Sequence, residues 1–236
     1  MSRRGARTLP GLNREIVRCD RCPRLRDWCA HVAQNPRASY LGERYWGKPV
    51  PSFGDDRPRL LIVGLAPGAH GANRTGRMFT GDSSGDWLFE ALHAAGLCAH
   101  PHSTSRKDGQ KLYGARISGV VHCAPPGNKP AREERDACRP YLARELALCG
   151  PELKVVVALG GFAWDGVLWA LGEQGHRLSP KPKFGHGARA RVGSYTVMGC
   201  FHPSQLNTFT GRLTKPMLRD AFRKARRLAG ISGEGD

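Results

Sequence analysis

The side chains best suited to chemistry follow apolar runs of the chain instead of lying within them. A segment with five glycines in 19 residues, 64–82, comes directly after the apolar run 59–64 and contains Asn73 and Asp82. His202 follows another apolar run. Glycine lets the backbone approach a ligand closely, and a histidine at the end of a strand is well placed to act, although a histidine considered alone is more often structural. These residue types predict a ligand site.

The glycine-rich segment invites comparison with a phosphate-binding loop. It lacks both the Gly-Lys-Ser/Thr ending and the GxGxxG spacing of nucleotide-binding loops, so we expect no nucleotide cofactor. A second loop, 123–130, carries two adjacent prolines, which form a stiff turn that cannot continue a strand.

Eight cysteines raise the question of metal binding. The N-terminus is basic and no apolar stretch follows it, so we expect no secretory signal, a cytoplasmic location and no disulfide framework. Cys19 and Cys22 form a C-x-x-C pair, and 14 residues separate Cys123 from Cys138. Four thiolates suit zinc or an iron–sulfur cluster equally, and spacing does not choose between them. Cys29 is the main competitor for a ligand position; the other cysteines are expected to be buried thiols.

The charge of the chain points to a polyanionic partner. Thirty-seven Lys and Arg against 20 Asp and Glu give a net charge of +17. Such an excess favours nucleic acid, and the alternative is a solvated basic surface. No apolar run is long enough to span a bilayer, so we expect no membrane association.

Four continuous apolar runs predict strands that are covered on both faces, which is typical of a parallel sheet. Helical patterns separate them, so we predict an α/β fold: a single doubly wound domain whose central four-stranded, mainly parallel sheet is flanked by helices. The domain is expected over 13–230, with a flexible basic tail at 1–12 and a second tail at 231–236. The predicted strands are 59–64, 116–121, 154–159 and 194–199, and the predicted helices are 82–95, 131–148, 162–171 and 215–228.

Three segments carry a resemblance to a known family. Segments 64–82 and 123–130, together with His202-Pro203-Ser204, resemble the active-site motifs of the uracil-DNA glycosylase superfamily, and in particular its family 5, the iron–sulfur branch called UDGb. The long first motif is typical of that branch, and the match covers about 13–228. The resemblance implies a monofunctional DNA repair enzyme that flips out uracil, and also hypoxanthine and xanthine, and leaves an abasic site. We expect a monomer that binds DNA containing deaminated bases.

The resemblance also implies roles for individual residues. His202 would donate a hydrogen bond to uracil O2, Phe79 would stack on the flipped base, and Leu206 would enter the gap that the base leaves. The remaining base-binding candidates are Ala66 and Gly68 through their backbone, Asn128 and Asn207. The phosphate-contact candidates are Arg74, Arg77, Arg212, Lys215 and Arg219. The implied ligands of a structural 4Fe-4S cluster are Cys19, Cys22, Cys123 and Cys138.

Two positions depart from the better-known branches. Ala66 stands where their water-activating Asp lies, so Asn73 and Asp82 become candidate catalytic groups. Gly119 stands where an Asn reads the uracil edge, so Asn128 is a candidate substitute. Both departures predict a looser pocket.

Two other function classes compete with this reading. The first is a non-catalytic nucleic-acid-binding protein with a structural zinc site made of four cysteines. The second is an α/β hydrolase acting on small nucleosides, against which the +17 charge argues, since a small ligand does not need an extended basic surface.

Overall fold

A computed structural model describes residues 5–232 of the chain. In this range the strands are β1 Phe53–Gly54, β2 Leu60–Gly64, β3 Ala115–Gly119, β4 Val155–Leu159, β5 Arg189–Val192 and β6 Tyr195–Cys200. The helices are α1 Leu9–Val17, α2 Pro23–Gln34, α3 Ala72–Thr75, α4 Ser83–Ala94, α5 Arg132–Cys149, α6 Gly161–Gly172, α7 Gln205–Phe209 and α8 Lys215–Ala229. Single 3₁₀ turns lie at Ala38–Tyr40 and Pro126–Asn128.

All six strands form one mixed sheet in the order β1-β3-β2-β4-β6-β5. The four central strands are parallel and correspond to the four predicted runs, which confirms the α/β fold class. The predicted number of strands is corrected, because β1 and β5 pair antiparallel at the two edges. Neither edge strand carries a continuous apolar run: β1 has two residues, and β5 exposes Arg189 and Arg191. The pattern of double-sided burial that revealed the central strands is therefore absent from them.

Helices cover both faces of the sheet and create two cores. Along β2, Val63 faces the core formed with α1, α2, α5 and α6, whereas Ile62 faces the core formed with α4 and α8. This alternation follows from the period of two along a strand. Within residues 5–232, no helix is long and apolar enough to cross a membrane.

The N-terminal boundary of the domain differs from the prediction. Helix α1 begins at Leu9, where the Thr8 side chain accepts a hydrogen bond from the Gly11 N–H, and its Leu9 and Leu12 side chains are buried. A helix this short is marginal on its own and depends on packing, here against α5, so the local sequence pattern does not reveal it. Ile231, predicted to open the second tail, packs against the core beside Gly114. The predicted tail residues 1–4 and 233–236 lie outside the described range.

The register of the parallel strands brings their carboxyl ends to one edge. Gly64 of β2 lies opposite Gly119 of β3, and Leu159 of β4 lies opposite Cys200 of β6. In open α/β sheets ligands bind beyond this edge. The segments that follow β2, β3 and β6 therefore meet where a ligand site is expected.

Candidate active site and cysteine cluster

A cleft of about 690 Å³ opens beyond the carboxyl ends of the strands. All three predicted segments contribute to it: Ala66 and Asp82 come from the segment after β2, Asn128 from the loop after β3, and His202 from the end of β6. The sequence motifs thus form one site instead of three separate features.

His202 forms one wall of the cleft and faces an aromatic ring. Its imidazole lies 5.7 Å from the Phe79 ring, centroid to centroid, at an interplanar angle of 35°. Burial lowers the pKa of His202 to about 4, so the ring is neutral at physiological pH. Within residues 5–232, no group hydrogen-bonds to its ring nitrogens. The imidazole therefore keeps a free N–H donor for a ligand in the cleft.

Phe79 adopts a backbone conformation that bulky residues rarely take. Its φ is +52°, in the left-handed region. The Phe79 ring lies directly over Gly64, where a Cβ atom would come within 2.7 Å of the ring carbons. Gly64, the last residue of β2, is therefore required for Phe79 to lie along the floor of the cleft opposite His202. Strain of this kind concentrates at ligand sites.

Asp82 is held at the N-terminus of α4. Its Oδ1 accepts a hydrogen bond of 2.9 Å from the Gly85 N–H, which caps the helix. Its Oδ2 lies over the glycine-rich loop, because a Cβ at Gly68 would lie 2.8 Å from it and a Cβ at Gly71 would overlap it. Burial raises the pKa of Asp82, although the helix terminus favours the anion. The two glycines thus make room for a carboxylate that lines the cleft.

Two polar candidates do not lie in the cleft. Asn73 is fully buried in α3, and its amide donates to the carbonyl oxygens of Cys29 at 3.3 Å and Ala69 at 3.4 Å. Its side chain faces α2 and does not line the cleft, so the structure gives no contact that supports its predicted catalytic role, which stays a prediction. Asn207 donates to the His202 carbonyl oxygen at 2.8 Å, so it fixes the loop after β6 and does not line the cleft as a base-binding group.

Arg74 is also a structural residue, which corrects its prediction as a phosphate contact. Its guanidinium donates to the carbonyl oxygens of His70 and Gly81, forms an ion pair with Glu43, and stacks on Tyr40 with its central carbon 3.9 Å from the ring centroid. These partners hold the guanidinium against the glycine-rich segment.

Arg77 is buried in the same manner and is likewise corrected. It donates to Ser103 at 2.9 Å and to Asp108 at 2.6 Å, and it stacks on Phe53. Burial opposes ionisation of Asp108, but the hydrogen bonds from Arg77 and from backbone N–H groups outweigh it and hold the pKa of this carboxyl well below its usual range. Arg77 therefore fastens the loop to a neighbouring segment.

The other phosphate-contact candidates remain at the surface. Arg212 is exposed and stacks on Phe201, which precedes His202, at 4.5 Å from the ring centroid. Lys215 pairs with Glu90 at 2.8 Å, and Arg219 is exposed on the following turn of α8. Leu206 lines the cleft.

Several residues lining the cleft were missed from the sequence. They include His70, Tyr40 and Arg37, and the Tyr45 hydroxyl oxygen lies 3.0 Å from Nδ1 of His70. Burial and the nearby charges of Arg37 and Arg74 lower the pKa of His70. Its place within the glycine-rich segment was the available signal, whereas Tyr40 and Arg37 stand in a stretch without a motif.

The four predicted cysteine ligands lie together in space. Cys19 and Cys22 precede α2, Cys123 follows β3 and Cys138 belongs to α5, and all four line one small cavity. Burial raises the pKa of Cys138 to about 12. Thiolates in such a site need positive charge beside them, and Arg21 and Arg26 line the same cavity. Cys29 is buried and points to the Ala124 carbonyl oxygen, outside this lining.

A buried polar atom beside this cavity tests the fit of a metal group. His122 lines the cavity, and its Nδ1 donates to the Val50 carbonyl oxygen at 2.8 Å, whereas its Nε2 is buried without a hydrogen-bond partner. An orphaned buried atom often marks an unplaced group. Among residues 5–232, no three metal-ligating side chains are close enough to hold a single ion. Four thiolates that line one cavity suit a four-iron cluster, in which each thiolate binds a different iron, and they suit a zinc ion as well.

Comparisons with known proteins define the class. The family model for the uracil DNA glycosylase superfamily matches residues 51–226. The type-5 uracil-DNA glycosylase of Mycobacterium tuberculosis is 52% identical over 96% of this chain and 84% of that protein. The Thermus thermophilus type-5 protein is 46% identical over 92% of this chain and 96% of its own, and the type-4 protein of Pyrobaculum aerophilum is 30% identical over 92% and 90%.

The doubly wound sheet, with a histidine, an aromatic ring and a carboxylate in the cleft beyond its strand ends, is compatible with the fold of this superfamily. The chain belongs to the uracil-DNA glycosylase superfamily, and within it to the type-5 branch.

Proposed function

We propose that this protein is a DNA repair glycosylase that extrudes uracil from DNA and hydrolyses its N-glycosidic bond, leaving an abasic site. The observation that carries the proposal is the pairing of a neutral His202 with Phe79 across a cleft that also contains Asp82. The type-5 relatives are named as uracil-DNA glycosylases.

The base would enter the cleft after leaving the helical stack. The glycosidic bond is inaccessible inside a duplex, so a base must be extruded before its chemistry. Phe79 provides a face on which the extruded base stacks. Leu206, 74% exposed at the mouth of the cleft, would occupy the gap left in the duplex.

Cleavage places negative charge on the departing base and positive charge on the sugar. His202 would donate its N–H to O2 of uracil, and the bond strengthens as charge develops there. Because the pKa of His202 is about 4, the imidazole is neutral, and its N–H is available to donate to the base. The base then leaves as an anion that the hydrogen bond stabilises.

Asp82 is the carboxylate available to the sugar cation and its attacking water. Ala66 lines the cleft without a functional group, whereas the Asp82 Oδ2 lies beside the Gly68 backbone. In its ionised form Asp82 would stabilise the cation and orient the water. Since burial raises its pKa, excision should fall as the pH decreases toward that pKa.

We further propose that hypoxanthine and xanthine are substrates. A Cβ at Gly119 would lie 2.8 Å from the Val121 carbonyl oxygen, so this position has no room for the amide that would read a uracil edge. Asn128, exposed at the rim with a φ of +57°, is a less constrained substitute. Recognition that depends on fewer fixed polar groups rejects fewer bases.

A 4Fe-4S cluster would be held by the four cysteines that line the second cavity. When bound, it supplies a covalent link between the start of α2, the loop after β3 and helix α5. We assign the cysteines a structural role, since they line a cavity separate from the cleft. A cytoplasmic location and a monomeric state stay predictions.

One experiment tests the function and its main alternative together. Purified protein is incubated with duplexes that contain uracil, hypoxanthine or xanthine, and abasic sites are detected by alkaline cleavage. Strand cleavage of the uracil duplex that His202→Ala slows by about 10²–10³ supports the glycosylase. A colourless zinc protein that binds DNA without forming abasic sites would favour a non-catalytic nucleic-acid-binding protein.

A further inference from the structure

Helix α7 exposes two large apolar side chains at the surface. Leu206 is 74% exposed and Phe209 is 83% exposed, more than any other large apolar residue between residues 5 and 232. Three residues apart on a helix, they share one face with their Cβ atoms about 5–6 Å apart. A paired apolar surface beside a ligand cleft indicates a binding partner more strongly than a single exposed residue does.

The helix is fixed in place, so these side chains cannot retreat into the core. Asn207 donates to the His202 carbonyl oxygen, and the Leu213 N–H donates to the Asn207 carbonyl oxygen at 2.9 Å. Leu213 itself is fully buried, and the Thr210 hydroxyl donates to the Leu206 carbonyl oxygen at 2.6 Å. The exposed face is therefore preorganised for contact.

The two side chains differ in their relation to the cleft. Leu206 lines it, whereas Phe209, three residues later in α7, does not. Arg212 follows after three more residues and is exposed. Along the chain the surface therefore offers an aliphatic side chain, an aromatic ring and a cation, and the cation lies over Phe201, the residue before His202. This sequence of groups suits a duplex, whose bases are apolar on their faces and whose backbone is anionic.

We propose that Phe209 stacks on the base of the opposite strand that loses its partner when the damaged nucleotide is extruded. This inference rests on the proposed function. The cleft takes the extruded base and the strand that carries it, and Leu206 fills the gap. Phe209 shares the exposed face of α7 with Leu206 but does not line the cleft, so it would meet the duplex beside that gap, where the unpaired base of the opposite strand lies. Stacking on an aromatic ring accepts any base, so it stabilises the opened duplex without restricting its sequence.

The test compares duplex with single-stranded DNA, since only the duplex has an opposite strand. Phe209→Ala is measured for binding to an oligonucleotide with a stable abasic-site analogue, alone and annealed to its complement. Loss of one stacked base should weaken duplex binding by about 5- to 150-fold. Single-strand binding should stay within about twofold of wild type. Phe209→Trp should retain duplex affinity, whereas Phe209→Leu should lose most of it.

Tyr113→Ala is the matched control, because Tyr113 is an exposed aromatic residue just before β3, at the amino edge of the sheet. It should leave both affinities unchanged. Equal losses for Phe209→Ala on both DNAs, no loss on either, or full retention by Phe209→Leu would overturn the inference. A wild-type protein that forms no abasic sites yet shows the duplex-specific loss would refute the proposed activity and leave this contact standing.

Discussion

Replacing His202 with alanine removes the donor that faces the Phe79 ring across the cleft. We expect single-turnover excision of uracil to fall by about 10²–10³, which corresponds to roughly 3–4 kcal/mol of lost transition-state stabilisation. DNA affinity should change little, because the hydrogen bond strengthens only as charge develops on the base. The assay uses excess enzyme and a uracil-containing duplex, quenched on a time course.

The pKa of His202 makes the prediction sharper. With a folded-state pKa of about 4, the imidazole is roughly 99% neutral at pH 6, so the rate should show no transition near the ordinary histidine value. The contribution of His202 to the stability of the folded protein, unlike its contribution to the rate, should change as the pH falls from 6.5 toward 4. The unfolded chain takes up a proton below about pH 6.5 that the folded protein binds only near pH 4, so the His202 contribution is full above 6.5 and is lost as the pH falls.

Matched variants separate the donor from the fold. His93 is exposed near the end of α4, and His93→Ala should behave as wild type in every assay. His202→Ala should flatten the decrease in melting temperature between pH 7 and 5. Near-native excision by His202→Ala at saturating enzyme would refute the chemistry. A wild-type rate transition near pH 6.5 that His202→Ala removes would refute the low pKa.

Three further predictions test the remaining assignments. Asp82→Asn keeps a good helix cap, so the melting temperature should be unchanged. Excision should fall at least tenfold, and the pH–rate profile should lose its decrease at acid pH. An unaltered profile would contradict the role of the carboxylate. Cys19→Ser should remove iron and visible absorption whereas Cys29→Ser keeps both, and the reverse pattern in metal analysis would show that the ligands are misassigned. Arg77→Ala should lower the free energy of unfolding in chemical denaturation by about 3 kcal/mol, because it leaves a buried carboxylate unpaired, and it should not change the salt dependence of DNA binding. Arg219→Gln should instead reduce the slope of that salt dependence by about 1. A reduced slope for Arg77→Ala and an unchanged slope for Arg219→Gln would reverse our correction of Arg77.

The sequence predicted the centre of the fold better than its edges, for a physical reason. Strands β2, β3, β4 and β6 are covered on both faces, so burial imposes an apolar run that is visible without a structure. The edge strand β5 contains exposed arginines because one side of it meets solvent. Helix α1 has only nine residues and depends on packing that no local pattern reports.

The candidate site was also predicted only in part: the sequence indicated which segments meet but not the direction of each side chain. Motif position placed His202, Asp82 and Phe79 in one cleft, because segments after parallel strands must meet at one edge. It did not show which way a side chain points within an irregular loop. Asn73 and Arg74 turn inward because the single turn of α3 rotates them away from the cleft. Glycine-rich segments lack the periodicity from which direction could be read.

Because Asn73 faces inward, its side chain connects helix α2 to the glycine-rich loop. Its amide joins the carbonyl oxygens of Cys29 in α2 and Ala69 in the loop that lines the cleft. The same helix α2 begins immediately after Cys22, one of the cysteines that line the second cavity. Fixing those cysteines to one another therefore fixes the helix against which the glycine-rich loop is hydrogen-bonded. This connection explains how a structural cluster would affect the reaction without contacting the base: it would hold in position the loop whose glycines accommodate Asp82 and Phe79.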